Sequence, residues 1–213
     1  MDSFAQKIRS LIGERLKVDY PLAPLTTFGI GGPADYFALI STKEELRHVC
    51  EAAEQAGINV TVLGFGSNVL ISDLGVRGLV CSLGGDFKTF FFDSEKRFVA
   101  GAALRLQKLV AELAGQGYEG MEALVGVPGT VGGGIFMNAG TREGEIRDHL
   151  ESVTVFSRQN KEYRELGAAG LVFGYRKSPF QEGRDIVTSA VFKFPLAGSK
   201  EDVLNRIRNL MER

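Results

Sequence analysis

Six glycines fall within the fifteen residues 126–140 (GVPGTVGGGIFMNAG), and this density limits the backbone more than any other property of the chain. Glycine loses more conformational freedom on folding than any other residue, so such a cluster persists where positive φ or close approach of another group requires a bare backbone. Pro128 stiffens the turn that leads into it. Two readings compete on these residues alone: a glycine-rich hairpin or tight packing corner, and a cradle for a large planar or phosphorylated ligand.

A second cluster, LGFGSN at 63–68, follows the strand-like run 58–62 and precedes the apolar residues 69–71. Backbone amides in a glycine turn, with the Ser67 hydroxyl and the Asn68 amide beside them, can surround a diphosphate without a lysine, because several partial positive charges converge. The segment lacks the Gly-Lys-Ser/Thr ending of a Walker loop and the Gly-x-Gly-x-x-Gly spacing of a Rossmann turn. Its chemistry suits a diphosphate held outside those two nucleotide folds.

Composition removes several other classes. A chain of 213 residues with 44% apolar content and a mean hydropathy of +0.01 can bury an ordinary globular core in one or two lobes. The net charge of −1, with Lys and Arg spread along the chain, supplies no field for nucleic acid or an anionic membrane surface, so neither is expected as a partner. Cys50 and Cys81 read as small buried hydrophobes, and His48 and His149 are too far apart in sequence to suggest a metal site or a catalytic triad. No basic start followed by an apolar run marks a signal peptide, and a cytoplasmic location is expected.

Along the chain, residues 3–16 carry a one-sided helical spacing with Ser3 placed to cap it, and the prolines at 21 and 24 end helix formation. A strand over 35–40, a helix opened by two overlapping capping boxes at 41–45 and closed by Gly57, and a strand before the 63–68 loop form a first unit. Short β runs follow at 79–83, 88–92 and 97–102, with a hairpin turn at 93–96. Phe90, Phe91 and Phe92 cannot all face one side of a strand. A helix is predicted over 104–114, further β runs at 151–156, 162–166 and 185–194, and a last helix capped near Ser199 with Val203, Ile207, Leu210 and Met211 on one stripe. The 126–140 cluster itself is read as loop.

Arg176 stands out chemically. In FGYR a permanently charged fork sits beside a glycine and an aromatic, a combination that could hold a carboxylate or a developing enolate. The alternative is a surface arginine paired with Glu182 or Asp185. Glu143 and Glu145, beside Arg142 and Arg147, read as a solvated charged edge, and Tyr175 as core or ligand-side packing.

Four motifs in order, TTFGIGGPA at 26–34, LGFGSNVL at 63–70, the 126–140 cluster and FGYRKS at 173–178, resemble the UDP-N-acetylenolpyruvoylglucosamine reductase family of bacterial wall synthesis. One departure is local: TREGE at 141–145 replaces the small or aromatic residue and glycine pair usual there. The resemblance implies an α+β fold, a two-lobed FAD-binding domain of the vanillyl-alcohol-oxidase (PCMH) type with FAD in the crevice between lobes. The expected division is 1–78 for an α/β lobe, 79–196 for a larger β-rich lobe and 197–213 for a helix leading onward. Implied FAD contacts are Leu63, Gly64, Phe65, Gly66, Ser67, Asn68 and Val69 in the first loop, and Val127, Pro128, Gly129, Val131, Gly132, Gly133, Met137, Asn138 and Gly140 in the second. NADPH is the implied reductant, a small UDP-sugar the substrate, and no metal is expected. Arg176 is implied to polarise the enolpyruvyl carboxylate, stabilising the charge that forms after hydride reaches C3 until C2 is protonated. Members of the family continue into a substrate domain carrying a serine proton donor and a glutamate, so this chain is expected to be inactive alone. A flavin-binding module without turnover, or an FAD subunit of another oxidoreductase of the same fold, remain open as alternatives.

Overall fold

The computed structural model describes residues 3–196 and 199–212. The chain divides into two compact units, Met1–Phe87 with Arg158–Glu162, and Lys88–Ser157 with Tyr163–Arg213.

In the first unit, α1 (Ser3–Ile12) buries Phe4, Ala5, Ile8 and Ile12, the face its i, i+4 spacing prescribes, and Gly13 at φ +61 turns the chain out of it. Ser3, expected to cap this helix, lies inside it as its first described residue. Strands β1 (Leu16–Pro21) and β2 (Pro33–Ile40) pair antiparallel, then α2 (Lys43–Gln55) crosses over to β3 (Val60–Val62). Strand β4 (Val76–Leu83) inserts between β2 and β3, parallel to both, giving the order β1-β2-β4-β3. Thr42 caps α2 by accepting from the Glu45 amide, and Leu46, Val49, Cys50 and Ala53 are the buried stripe. Each fully buried Leu or Ile here contributes about 1.5–3 kcal/mol relative to exposure.

The second unit is built on a five-stranded sheet in the order β10-β9-β11-β6-β5. Its members are β5 (Phe90–Phe92), β6 (Phe98–Gly101), β9 (Leu150–Ser157), β10 (Glu162–Gly167) and β11 (Asp185–Phe192), with α3 (Leu106–Gly115) following β6. Phe90 and Phe92 turn to one side and pack on Phe98, while Phe91 is 55% exposed on the other. Helix α3 buries Leu106, Leu109, Val110 and Leu113. The two-residue strands β7 (Gly140–Thr141) and β8 (Gly144–Glu145) form a small separate ladder, and α5 (Lys200–Met211) is tied down by Val203 and by Arg206 bridging Glu119 and Glu122 at 2.6 and 3.1 Å. Met211 is 73% exposed, so the apolar stripe of α5 is only partly covered.

One segment departs from the sequence reading. Within 126–140 the structure has a short helix, α4 (Val131–Phe136), capped by the Thr130 hydroxyl, where a loop is expected from three consecutive glycines. Packing overrides propensity: a Cβ on Gly132 would lie 2.9 Å from the Ala102 methyl, and one on Gly134 3.0 Å from Ile146, so only glycine lets the helix seat this closely.

Candidate functional site

The candidate residues lie on two separate supports, one in each unit. In the first unit, β3 delivers the chain to 63–69. Leu63 is buried and fastened on both sides: its amide donates to the Cys81 carbonyl (2.8 Å), and its carbonyl accepts from the Ser82 hydroxyl (2.9 Å). Gly66, at φ +70, offers its carbonyl to the Thr27 amide (3.0 Å), and any Cβ there would collide with the Leu25 carbonyl. The loop is thus locked against 22–27, with Val69 turned into the cluster of Leu22, Ala34, Leu63 and Val80. Gly64 and Asn68 are exposed, Phe65 and Ser67 half-buried, and the amides of Gly64, Gly66 and Asn68 have no acceptor among the described residues. A rigid turn with unspent donors has the chemistry of an anion seat.

In the second unit the donors at the start of α4 are spent. The Val131 amide donates to Leu104 (2.8 Å), Gly132 to Ala102 (2.8 Å), Gly133 to the Thr130 hydroxyl (3.3 Å) and Gly134 to the Thr130 carbonyl (2.7 Å). What α4 presents is shape. Gly133 is exposed, and a Cβ there would meet only the Thr130 hydroxyl, at 3.4 Å, so no neighbouring element of the protein requires a glycine at that position. Val131 is buried, Gly129 is buried at φ +140, and Val127 and Met137 are half-buried at the two ends of the segment, with Pro128 exposed.

The cluster runs directly into the surroundings of Arg176. Gly174 and Lys177 exchange both backbone hydrogen bonds (3.1 and 3.0 Å), leaving Tyr175 and Arg176 at the tip of a two-residue turn, Arg176 at φ +55. Asn138, 1% exposed, donates through Nδ2 to the Gly174 carbonyl (3.0 Å). The Arg176 guanidinium donates to the Gly140 carbonyl (3.3 Å) and lies 5.6 Å from the Tyr175 ring centre. Glu182 is bridged to Arg184 and Asp185 to Arg164, each at 3.1 Å, so the two acids that could have made Arg176 a surface ion pair are committed elsewhere. Tyr175 is 83% exposed, which rules out the core role allowed for it from sequence. Glu145 pairs with Arg147 (2.9 Å) and Thr141 donates to Glu143 (2.6 Å), the charged edge that was expected.

Two contributors were not legible as site residues. Gln181 Nε2 donates to the carbonyls of Arg176 (3.0 Å) and Phe136 (3.1 Å), and Arg147 Nη1 to that of Phe173 (3.1 Å). Neither stands in a motif, and only the folded turn brings them to it.

The family described as "FAD binding domain" matches residues 34–166. A UDP-N-acetylenolpyruvoylglucosamine reductase of Lachnoclostridium phytofermentans is 34% identical over 209 residues, 96% of this chain and 67% of that protein. The crystal structure of UDP-N-acetylenolpyruvylglucosamine reductase from Thermus caldophilus superposes with a TM-score of 0.79 at 37% identity, over 92% of this chain and 67% of that one. The chain belongs to the UDP-N-acetylenolpyruvoylglucosamine reductase family. It spans about two thirds of the length of these reductases. A Physcomitrella patens BBE-like 1 structure, at 19% identity and a TM-score of 0.66, shares the fold. Both mixed helix-and-sheet units are therefore those of an FAD-binding oxidoreductase family. Among the described residues no helix is long and apolar enough to cross a membrane.

Proposed function

We propose that this chain carries the FAD-binding part of an NADPH-dependent reductase that converts UDP-N-acetylglucosamine enolpyruvate to UDP-N-acetylmuramate, a cytoplasmic step of peptidoglycan synthesis. The observation that carries the reading is Arg176: an exposed guanidinium at a turn tip, with no carboxylate partner among the described residues although Glu182 and Asp185 lie close in sequence. A fork of N–H donors with one bond to the Gly140 carbonyl and no carboxylate suits the planar carboxylate of an enolpyruvyl group.

The residues fit an FAD on two grounds. The unspent amides of Gly64, Gly66 and Asn68 suit its diphosphate, and the bare outer face of α4 at Gly133 suits close approach of a flat ring. FAD, when bound, supplies the transfer of reducing equivalents from NADPH to the substrate double bond. The work of the chain is to bind and orient. Residues 63–69 hold the phosphates, 127–140 line the flavin side, and Arg176 binds the substrate carboxylate and stabilises charge that develops on it.

The test separates the steps. Purified protein is titrated with FAD, reduced anaerobically with NADPH, then mixed with the enolpyruvyl UDP-sugar, following the flavin absorbance band. Binding is expected of this chain by itself, and bleaching and recovery in sequence once the substrate domain of the family is joined to it. Binding without bleaching would leave a flavin-holding module, bleaching without recovery an oxidoreductase of other specificity, and no binding would overturn the proposal. In Arg176→Ala made in that joined protein, recovery should slow by roughly a hundredfold, about 3 kcal/mol of barrier, with FAD content and reduction by NADPH retained. Loss of FAD or of the fold in that variant would make the arginine structural.

A further inference from the structure

We propose that Asn138 is a positioning residue for Arg176, fixing the turn that presents it. The proposal rests on the reading of Arg176 as the carboxylate-binding group. The turn at 174–177 does not hold itself. Its tip residues are exposed, Arg176 occupies a left-handed conformation that side-chain-bearing residues adopt reluctantly, and Tyr-Arg is not a pair that favours such a turn. The restraint comes from below, where the Gly174 carbonyl accepts twice, from the Lys177 amide (3.0 Å) and from Asn138 Nδ2 (3.0 Å). With both lone pairs of that oxygen engaged, the peptide plane leading into Tyr175 and Arg176 cannot rotate without breaking a bond. Gln181 and Arg147 also hold the turn, but both are exposed, whereas Asn138 is buried.

Asn138 is poorly suited to its position on any other account. Its backbone sits at φ +44, and its side-chain oxygen Oδ1 is buried with no hydrogen-bond partner. It follows α4 just past the helix end, where a left-handed residue is common and glycine is the better choice. If helix termination were its purpose, glycine would serve at least as well. What glycine cannot provide is the bond to Gly174.

That difference is the experiment. Asn138→Gly keeps the backbone conformation and removes the amide; Asn138→Asp keeps size and shape and removes the donor. Each is compared with the parent by thermal melting, by trypsin cleavage after Arg176 and Lys177, and by hydrogen exchange at the Lys177 amide. Cleavage and exchange at the turn should accelerate on the order of fivefold in both variants, the effect of one net hydrogen bond, and Asn138→Gly should melt no lower than the parent. Unchanged cleavage and exchange would overturn the proposal, as would a general loss of the fold in both variants, which would make Asn138 a structural residue. These readouts need neither flavin nor substrate, so an Arg176→Ala variant with normal flavin recovery would sink the catalytic reading and leave this result standing. In the flavin assay of the protein joined to its substrate domain, Asn138→Gly should slow recovery by substrate.

Discussion

At position 133 and its neighbours, identical residues answer to different forces. Gly132 is glycine because the Ala102 methyl would lie 2.9 Å from its Cβ, Gly134 because Ile146 would lie 3.0 Å away, and Gly133 for no reason internal to the protein. The sequence reading treated all three as one ligand-facing cluster. Substitutions should now separate them. Gly132→Val overpacks a seated helix and should destabilise by about 1–3 kcal/mol, read as a shift in denaturant midpoint at unchanged slope. Gly133→Val should leave the midpoint nearly in place and weaken FAD binding at least tenfold in a fluorescence titration. If Gly133→Val bound FAD as the parent does, the flavin would not approach this face of α4.

Among the elements, those that declared themselves in the sequence are the ones whose local signals and burial agree. The stripe and cap of α2, the apolar face of α3, the hairpin around 93–96 and the Ser199 cap of α5 all form where periodicity and capping chemistry put them. Helix α4 was hidden because glycine's low helix propensity is a local property, while its compensation comes from Ala102, Leu104 and Ile146, distant in the chain. The first loop and Arg176 were legible through motifs; the straps from Asn138, Arg147 and Gln181 were not, since a hydrogen bond to a backbone carbonyl leaves no pattern in sequence.

The start of α2 also yields a pH prediction. Glu45 accepts from the Arg15 guanidinium (2.6 and 2.7 Å) and from the Ser41 amide (2.8 Å), and the Arg15 bond above all holds its pKa below the ordinary carboxylate value. A depressed folded pKa means stability fully present above the unfolded value of about 4.3 and lost as pH falls through the folded one. Glu45→Gln should therefore melt lower than the parent at pH 7, with the gap closing toward pH 3. A gap independent of pH would show that packing, not charge, is what the substitution removes.

For the molecule as a whole, a ligand that binds only the folded chain must stabilise it. FAD at a hundred times its dissociation constant should add about 2.7 kcal/mol, a rise of roughly 5–10 °C in melting temperature for a chain of this size, followed by circular dichroism. Gly133→Val should need correspondingly more FAD to reach the same rise. A melting curve unmoved by saturating FAD would mean that the flavin engages neither unit in its folded form.

Burial of the two cysteines has a practical side. Cys81 is fully enclosed and its thiol pKa is raised by desolvation, and Cys50 is pushed up in the same way to about 11, so neither carries appreciable thiolate at neutral pH. The sequence has no others. A maleimide probe should therefore leave the folded parent almost unlabelled. It should react within minutes with Tyr175→Cys, a position 83% exposed at the turn tip. A fluorophore placed there would report the motion of the arginine's support directly, against a silent background.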